Sequence, residues 1–287
     1  FLSLFIFFFF HKINKDTPAS FFWLSKEAAI IINNWFMMYF LSVVLIGTVY
    51  PIFLDVLSSQ KISVGPPFYH KLIIPIIVPF LLMMAIGPKL KWIKSNLEDK
   101  IYLFILLVIS TLLSFLIVKN FDTNLLVNTI LISSALYLFL ITLRDFFIKK
   151  YNNISQNIAH FGFSLLILSI LLNNFFSTEI ITNLKVGETF ETENTKIIFE
   201  DISQKKEKNY QLIKGKFIIQ NPGGKIDNLS PELRIYNQPN IVTSEADIKT
   251  TIIADKFIVI NLVQNQEYFN VRYQVKPFMI WIWLSVL

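Results

Sequence analysis

Uncharged, strongly apolar runs recur along the first 176 residues, at roughly 1–10, 30–54, 72–88, 101–118, 123–143 and 157–176, with another at 277–287. Three stretches (35–54, 101–118 and 123–143) hold no Lys, Arg, Asp or Glu at all. At ~1.5 Å rise per residue, ~20 helical residues cross a hydrocarbon layer of ~30 Å. The pattern therefore predicts membrane-spanning helices. The first and last runs are too short to cross, so the given chain is expected to start and stop inside longer helices. No basic segment precedes the opening Phe run, and a cleavable signal peptide is not expected.

From 177 to 276 the pattern changes to a polar segment rich in strand formers. Residues 268–276 show it best: Phe269, Val271, Tyr273 and Val275 alternate with Asn270, Arg272, Gln274 and Lys276, the period of a half-buried strand. Asn221-Pro222-Gly223-Gly224 reads as a turn between two extended runs, and Pro277 as the stop before a last helix. The predicted fold is an α-helical polytopic membrane protein with one small outward-facing all-β domain between the last two helices. Its parts are a bundle of about six spans over 1–176 (the first truncated), a β-rich domain over 177–276, and the start of the last transmembrane helix over 277–287.

Composition agrees: 54% of the 287 residues are hydrophobic, 29 are Phe, and 16% are charged, against roughly 25% in ordinary soluble domains. A soluble enzyme is excluded for the helical part. The loops at 11–29, 88–100 and 144–156 carry ten Lys and Arg, and those on the other side three, which places the first set in the cytoplasm or matrix. The β-rich segment then faces the periplasm or intermembrane space. Residues 177–275 hold 12 basic and 13 acidic side chains, so no nucleic-acid surface is indicated. The net +6 comes from the membrane part, where anionic headgroups of the lipid bilayer would attract it. Only three cations are Arg (Arg144, Arg234 and Arg272), a bias that suggests an AT-rich organellar genome. Without cysteine the chain has no thiol nucleophile, disulfide or thiolate metal site of its own.

His160 stands out among three histidines, because Ala159-His160-Phe161-Gly162 opens an apolar helix and ionisable groups at membrane depth are costly and usually functional. A neutral imidazole there suits a haem iron, and Gly162 would admit a flat macrocycle or another helix. The other reading is an interfacial histidine bonded to a neighbouring carbonyl. His11, beside Lys12, reads as headgroup-facing, and His70 as part of a proline-stiffened outer loop. Pro75 and Pro79 predict a kinked or broken third helix. Asn33, Asn34, Asn173 and Asn174 read as interfacial hydrogen-bonding groups, and Trp281 and Trp283 as an aromatic belt. No phosphate loop, HExxH, Gly-x-Ser-x-Gly or in-membrane carboxylate is found. A transporter or channel is disfavoured by the lack of buried charge.

Several blocks, in one order, carry a resemblance. They are Ser25-Lys26-Glu27 with Asn33-Asn34, Gly47-Thr48-Val49-Tyr50-Pro51, Ser63-Val64-Gly65-Pro66-Pro67-Phe68-Tyr69, Gly87-Pro88, and Ala159-His160-Phe161-Gly162. Further on come Val186-Gly187-Glu188, Leu229-Ser230-Pro231-Glu232 with Arg234 and Tyr236, Thr243-Ser244-Glu245-Ala246, Asp255, and Lys276-Pro277 with Trp281-Ile282-Trp283. Together they resemble the C-terminal half of the CcmF family, the haem lyase of cytochrome c maturation.

The resemblance implies covalent attachment of haem, as substrate, to the two thiols of a CxxCH motif in apocytochrome c. It also implies a structural haem b held between two transmembrane histidines, one of which His160 matches as an iron ligand. The family's tryptophan-rich segment, second transmembrane histidine and outer-face haem histidines have no counterpart here, and neither His11 nor His70 matches a ligand position. The chain thus resembles the downstream piece of a split CcmF, mitochondrially encoded and seated in the mitochondrial inner membrane with its β domain facing the intermembrane space. Catalysis would need a partial lyase subunit to join an N-terminal CcmF-like chain carrying the tryptophan-rich segment, alongside other cytochrome c maturation subunits. No catalytic residue is assigned to this chain. The alternative is a non-catalytic structural membrane subunit of a respiratory complex.

Overall fold

The computed structural model describes residues 22–58, 62–94, 100–121, 124–148, 154–193, 195–221, 224, 226–263 and 267–287. The opening apolar run and His11 lie outside the described residues. Among the described residues, five helices are long and apolar enough to cross a membrane: α1 (Lys26–Ser58), α2 (Pro66–Ile86, extended by a 3-10 turn at Gly87–Lys89), α3 (Lys100–Val118), α4 (Leu125–Ile148) and α5 (Ile154–Phe176). Contacts divide the chain into two compact units, Phe1–Asn157 and Ile158–Leu287.

In the first unit α2 packs on α1 and α4, and α4 on α3, so α4 is the central helix and the most buried of the four. The α3 surface facing α4 is a narrow stripe of Leu103, Ser110, Ser114 and Val118. Small side chains let helix backbones approach, which matters in lipid where apolar area alone does not drive helices together. The serine hydroxyls stay satisfied by donating to Leu107 O and Ser110 O of their own helix. α1 is longer than the uncharged run that predicted it: Ser25 Oγ accepts from Ala28 N–H as an N-cap, and the helix continues through Asp55. Counting uncharged residues trims such charged helix ends.

Pro75 and Pro79 lie inside an α2 that they do not break, and Pro66 and Pro67 start that helix at its first turn, where missing N–H groups cost nothing. His70 therefore sits on exposed helix surface instead of in a loop.

In the second unit α5 leads, among the described residues, into ten strands. These are β1 (Thr178–Leu184), β2 (Thr189–Glu191), β3 (Lys196–Lys206), β4 (Tyr210–Gln220), β5 (Ile226–Leu229), β6 (Glu232–Tyr236), β7 (Ile241–Glu245), β8 (Asp247–Thr250), β9 (Ala254–Leu262) and β10 (Phe269–Pro277), followed by α6 (Met279–Val286). One sheet runs β1-β10-β9-β8; the other runs β2-β3-β4-β6-β7, with β5 also on β4. Every ladder is antiparallel. Inward residues of both sheets form one core, in which Phe199 stacks on its cross-strand partner Phe217 at 4.3 Å between centroids, with Ile197, Ile219, Leu233, Ile258, Ile260 and Val271 fully enclosed.

β10 carries the predicted alternation with one exception. Gln274 is buried, because β1 pairs along that edge and its Glu179 carboxylate accepts from the Gln274 amide at 2.5 Å. The strand also runs through Pro277, and the chain turns at Phe278, which has φ +62°, before α6.

Candidate functional site

His160 lies in the second turn of α5 and is half-buried. Asn157, three residues earlier on the same helix face, is buried with its amide donating to Asp145 O at 3.3 Å, and Ser164, four residues later, is fully enclosed. Gly162 is two residues on, about 200° around the helix, and its place is settled: a Cβ there would lie 2.8 Å from Ser285 O. The missing side chain admits the backbone of α6. Gly162 is thus a helix-packing glycine, and His160 occupies the opposite side of α5.

A haem iron takes an imidazole through one ring nitrogen. A bis-histidine site needs a second imidazole, and His160 is the one histidine of its unit. Among the described residues, no three His, Cys, Asp or Glu side chains converge as a metal site.

The sequence reading missed a polar cluster in the first unit. Lys89 Nζ contacts both oxygens of Asp145 at 2.7 and 2.6 Å, with the two side chains only 6% and 10% exposed. Arg144, next in the chain, lies 3.9 Å from the ring centre of Tyr102. The expectation of no in-membrane carboxylate and no buried charge is therefore overturned: α4 continues past the two charged residues at which the uncharged run was cut. The signal available was one acid among several cations at a helix end.

Most of the family-like blocks have structural work. A Cβ on Gly47 would fall 2.5 Å from the Tyr69 hydroxyl, so two of the blocks meet where α1 crosses α2. Pro51 cannot donate to the Gly47 carbonyl four residues back, which loosens α1 at that crossing. The Glu27 carboxylate accepts from Ile93 N–H at 3.0 and 3.1 Å, and Lys26 N–H donates to Lys91 O. Gly187 turns β1 into β2 at φ +87°, a conformation that glycine adopts without strain. Glu232 accepts from Arg234 and Lys214, which hold its carboxyl below the ordinary range. Burial pushes Asp227 up, but Lys249 and Lys256, each at 2.7 Å, bring it below the ordinary aspartate value.

The comparisons with known proteins agree with this layout. The CcmF C-terminal beta-sandwich family matches residues 175–277. Over 92% of its length the chain is 27% identical to the cytochrome c-type biogenesis protein CcmF of Pseudomonas aeruginosa and 25% identical to that of Escherichia coli, covering 42% of each. A solved structure, "Cytochrome c Heme Lyase CcmF", superposes with a TM-score of 0.70 at 20% identity, over 92% of this chain and 44% of that one. The chain thus spans about two-fifths of the length of these relatives, and it corresponds to their C-terminal part.

Proposed function

We propose that this multi-pass membrane chain is the C-terminal part of a cytochrome c haem lyase, contributing to the attachment of haem to the CxxCH thiols of apocytochrome c. The observation that carries the reading is the shared order of five apolar helices, a β-sandwich and a further helix, over 92% of the chain. In this reading His160 would hold the iron of a haem b together with a residue of a second chain. That partner is an N-terminal CcmF-like chain with the tryptophan-rich segment, working with other maturation subunits. The Lys-rich, Arg-poor composition supports a mitochondrial origin and the mitochondrial inner membrane, with the sandwich in the intermembrane space.

Thioether formation adds a substrate S–H across a haem vinyl group, so sulfur bonds to one vinyl carbon while a proton goes to the other. The cysteine-free chain contributes no thiol, and its share is positioning. A bound haem b would supply electron-transfer chemistry tuned by its axial ligands. His160 would hold it, while Gly162 and Ser285 fix the helix on its other side.

The chain, purified with its partners in mild detergent, should show a b-type reduced-minus-oxidised spectrum that His160→Ala abolishes while the assembly persists. An unchanged spectrum in the variant overturns the ligand role. A haem-free particle composed of respiratory subunits would favour the structural reading, which the presence of a single candidate ligand also supports.

A further inference from the structure

We infer that the turn joining β8 to β9 is a membrane-inserted wedge, with Ile252 and Ile253 entering the lipid beside α5 and α6. The inference rests on reading these two helices as membrane segments and is independent of haem. Hairpin tips in water favour Gly, Asn, Asp, Ser and Pro, and the β3–β4 tip of this sandwich, Glu207-Lys208-Asn209, is polar as expected. The β8–β9 tip instead carries two adjacent β-branched apolar side chains, 69% and 76% exposed.

Its position is fixed by hydrogen bonds to the helices. Phe278 N–H donates to Ile253 O at 2.9 Å, and Trp281 Nε1–H donates to Ile252 O at 3.1 Å. The end of α5 meets the same point, because the Asn173 amide donates to Pro277 O and the Phe176 ring lies against Phe278, 6.5 Å between centroids. The turn is therefore level with the place where α5 leaves the membrane and α6 enters it.

Its backbone also suits a low-dielectric setting, where an unmet carbonyl is costly. Both isoleucine carbonyls accept hydrogen bonds, and Thr251 and Ala254 close the turn through the Thr251 hydroxyl and backbone. Trp281 and Trp283 flank it with the amphipathic rings typical of a membrane interface. Two exposed isoleucines in isolation would mean little; their continuity with two membrane helices selects lipid as the occupant.

The absence of cysteine makes the test direct. Ile252→Cys and Ile253→Cys chains, each carrying one environment-sensitive fluorophore and reconstituted in phosphatidylcholine–phosphatidylglycerol vesicles, should emit to the blue. They should be quenched by lipids bearing a nitroxide near the headgroup and resist aqueous iodide. Lys208→Cys, at the polar tip, should emit as in water and be quenched by iodide. Water-like emission at 252 and 253 overturns the wedge. Shielding from both quenchers also overturns it, and assigns the turn to a protein surface. In the unaltered chain, a photoreactive lipid should label the peptide spanning 247–258, and labelling confined to helical peptides would count against insertion.

Discussion

The two units solve burial in opposite ways. In the sandwich the enclosed positions are Phe199, Phe217, Ile197, Ile219, Ile258 and Ile260, and most polar side chains lie outside, with Asp227 and Gln274 as buried exceptions. In the helical unit, large apolar residues such as Leu112, Phe104 and Trp35 are exposed, while Ser110, Ser114, Ser134, Thr142 and Asp145 are buried. The difference follows from the solvent. Water expels apolar area into a core, whereas lipid is as apolar as leucine and leaves close packing and polar contacts to hold helices together.

Truncation should separate the units most widely. Phe217→Ala removes a fully enclosed ring stacked on Phe199 and should cost about 3–5 kcal/mol. The equivalent loss of apolar bulk at Leu112→Ala, on the exposed side of α3, should fall within about 0.5 kcal/mol of the native chain. Denaturant titration in detergent, followed by hydrogen exchange of β4 and α3 peptides, checks both. Equal sensitivity at the two sites would break the comparison.

The buried ion pair should have an effect of the same size. Asp145→Ala leaves the Lys89 ammonium enclosed without its carboxylate and should destabilise the helical unit by about 3–5 kcal/mol. Removing both charges, as Lys89→Met with Asp145→Leu, should recover much of that loss, because two buried ions are replaced by packing atoms. A double variant no better than Asp145→Ala would mean that the pair does more than neutralise itself.

Tyr273 sharpens the contrast from the sandwich side. Burial first, and the Asp227 charge second, push its hydroxyl up to about 12, and its oxygen is enclosed without a hydrogen-bond partner. The unfolded tyrosine ionises near 10, so between about pH 10 and 12 the unfolded chain has lost a proton that the folded chain keeps. Stability should therefore fall as pH rises through that window, by roughly 2–3 kcal/mol. Lysines titrate there too, and the difference between the native chain and Tyr273→Phe isolates the tyrosine. Tyr273→Phe should lose part of the alkaline slope and be no less stable at pH 8.

What the sequence discloses follows the same division. A span is visible as a run without charge, and a strand such as β10 as an alternation, because each reflects a local exposure to one solvent. What escapes is decided by partners far along the chain. Asp145 reads as a loop acid until Lys89, 56 residues away, is seen beside it. Gln274 reads as outward until Glu179 of β1 is paired to its strand. His160 is legible as an imidazole on an apolar helix, yet the role of Gly162 waits on Ser285, 123 positions later. The pairing order of the two sheets is likewise invisible to periodicity, which gives faces but not neighbours.

The smallest effect should come from Glu179, at the exposed edge of β1. Its carboxylate accepts from the Arg272 guanidinium, and from the Gln274 amide, and these contacts hold it below the ordinary glutamate value. A depressed folded value means the contribution is present above the unfolded pKa, near 4.3, and is lost as pH falls through the folded one. Solvent and salt reach this group, so the contribution is slight at neutral pH and slighter at high ionic strength. Glu179→Gln should leave global stability within error and remove the acid-dependent rise in hydrogen exchange at the β1–β10 ladder. If the variant instead opened that ladder at pH 7, the β1 edge would depend on this carboxylate as strongly as α4 depends on Asp145, and the contrast between a charge kept in water and one kept from it would fail.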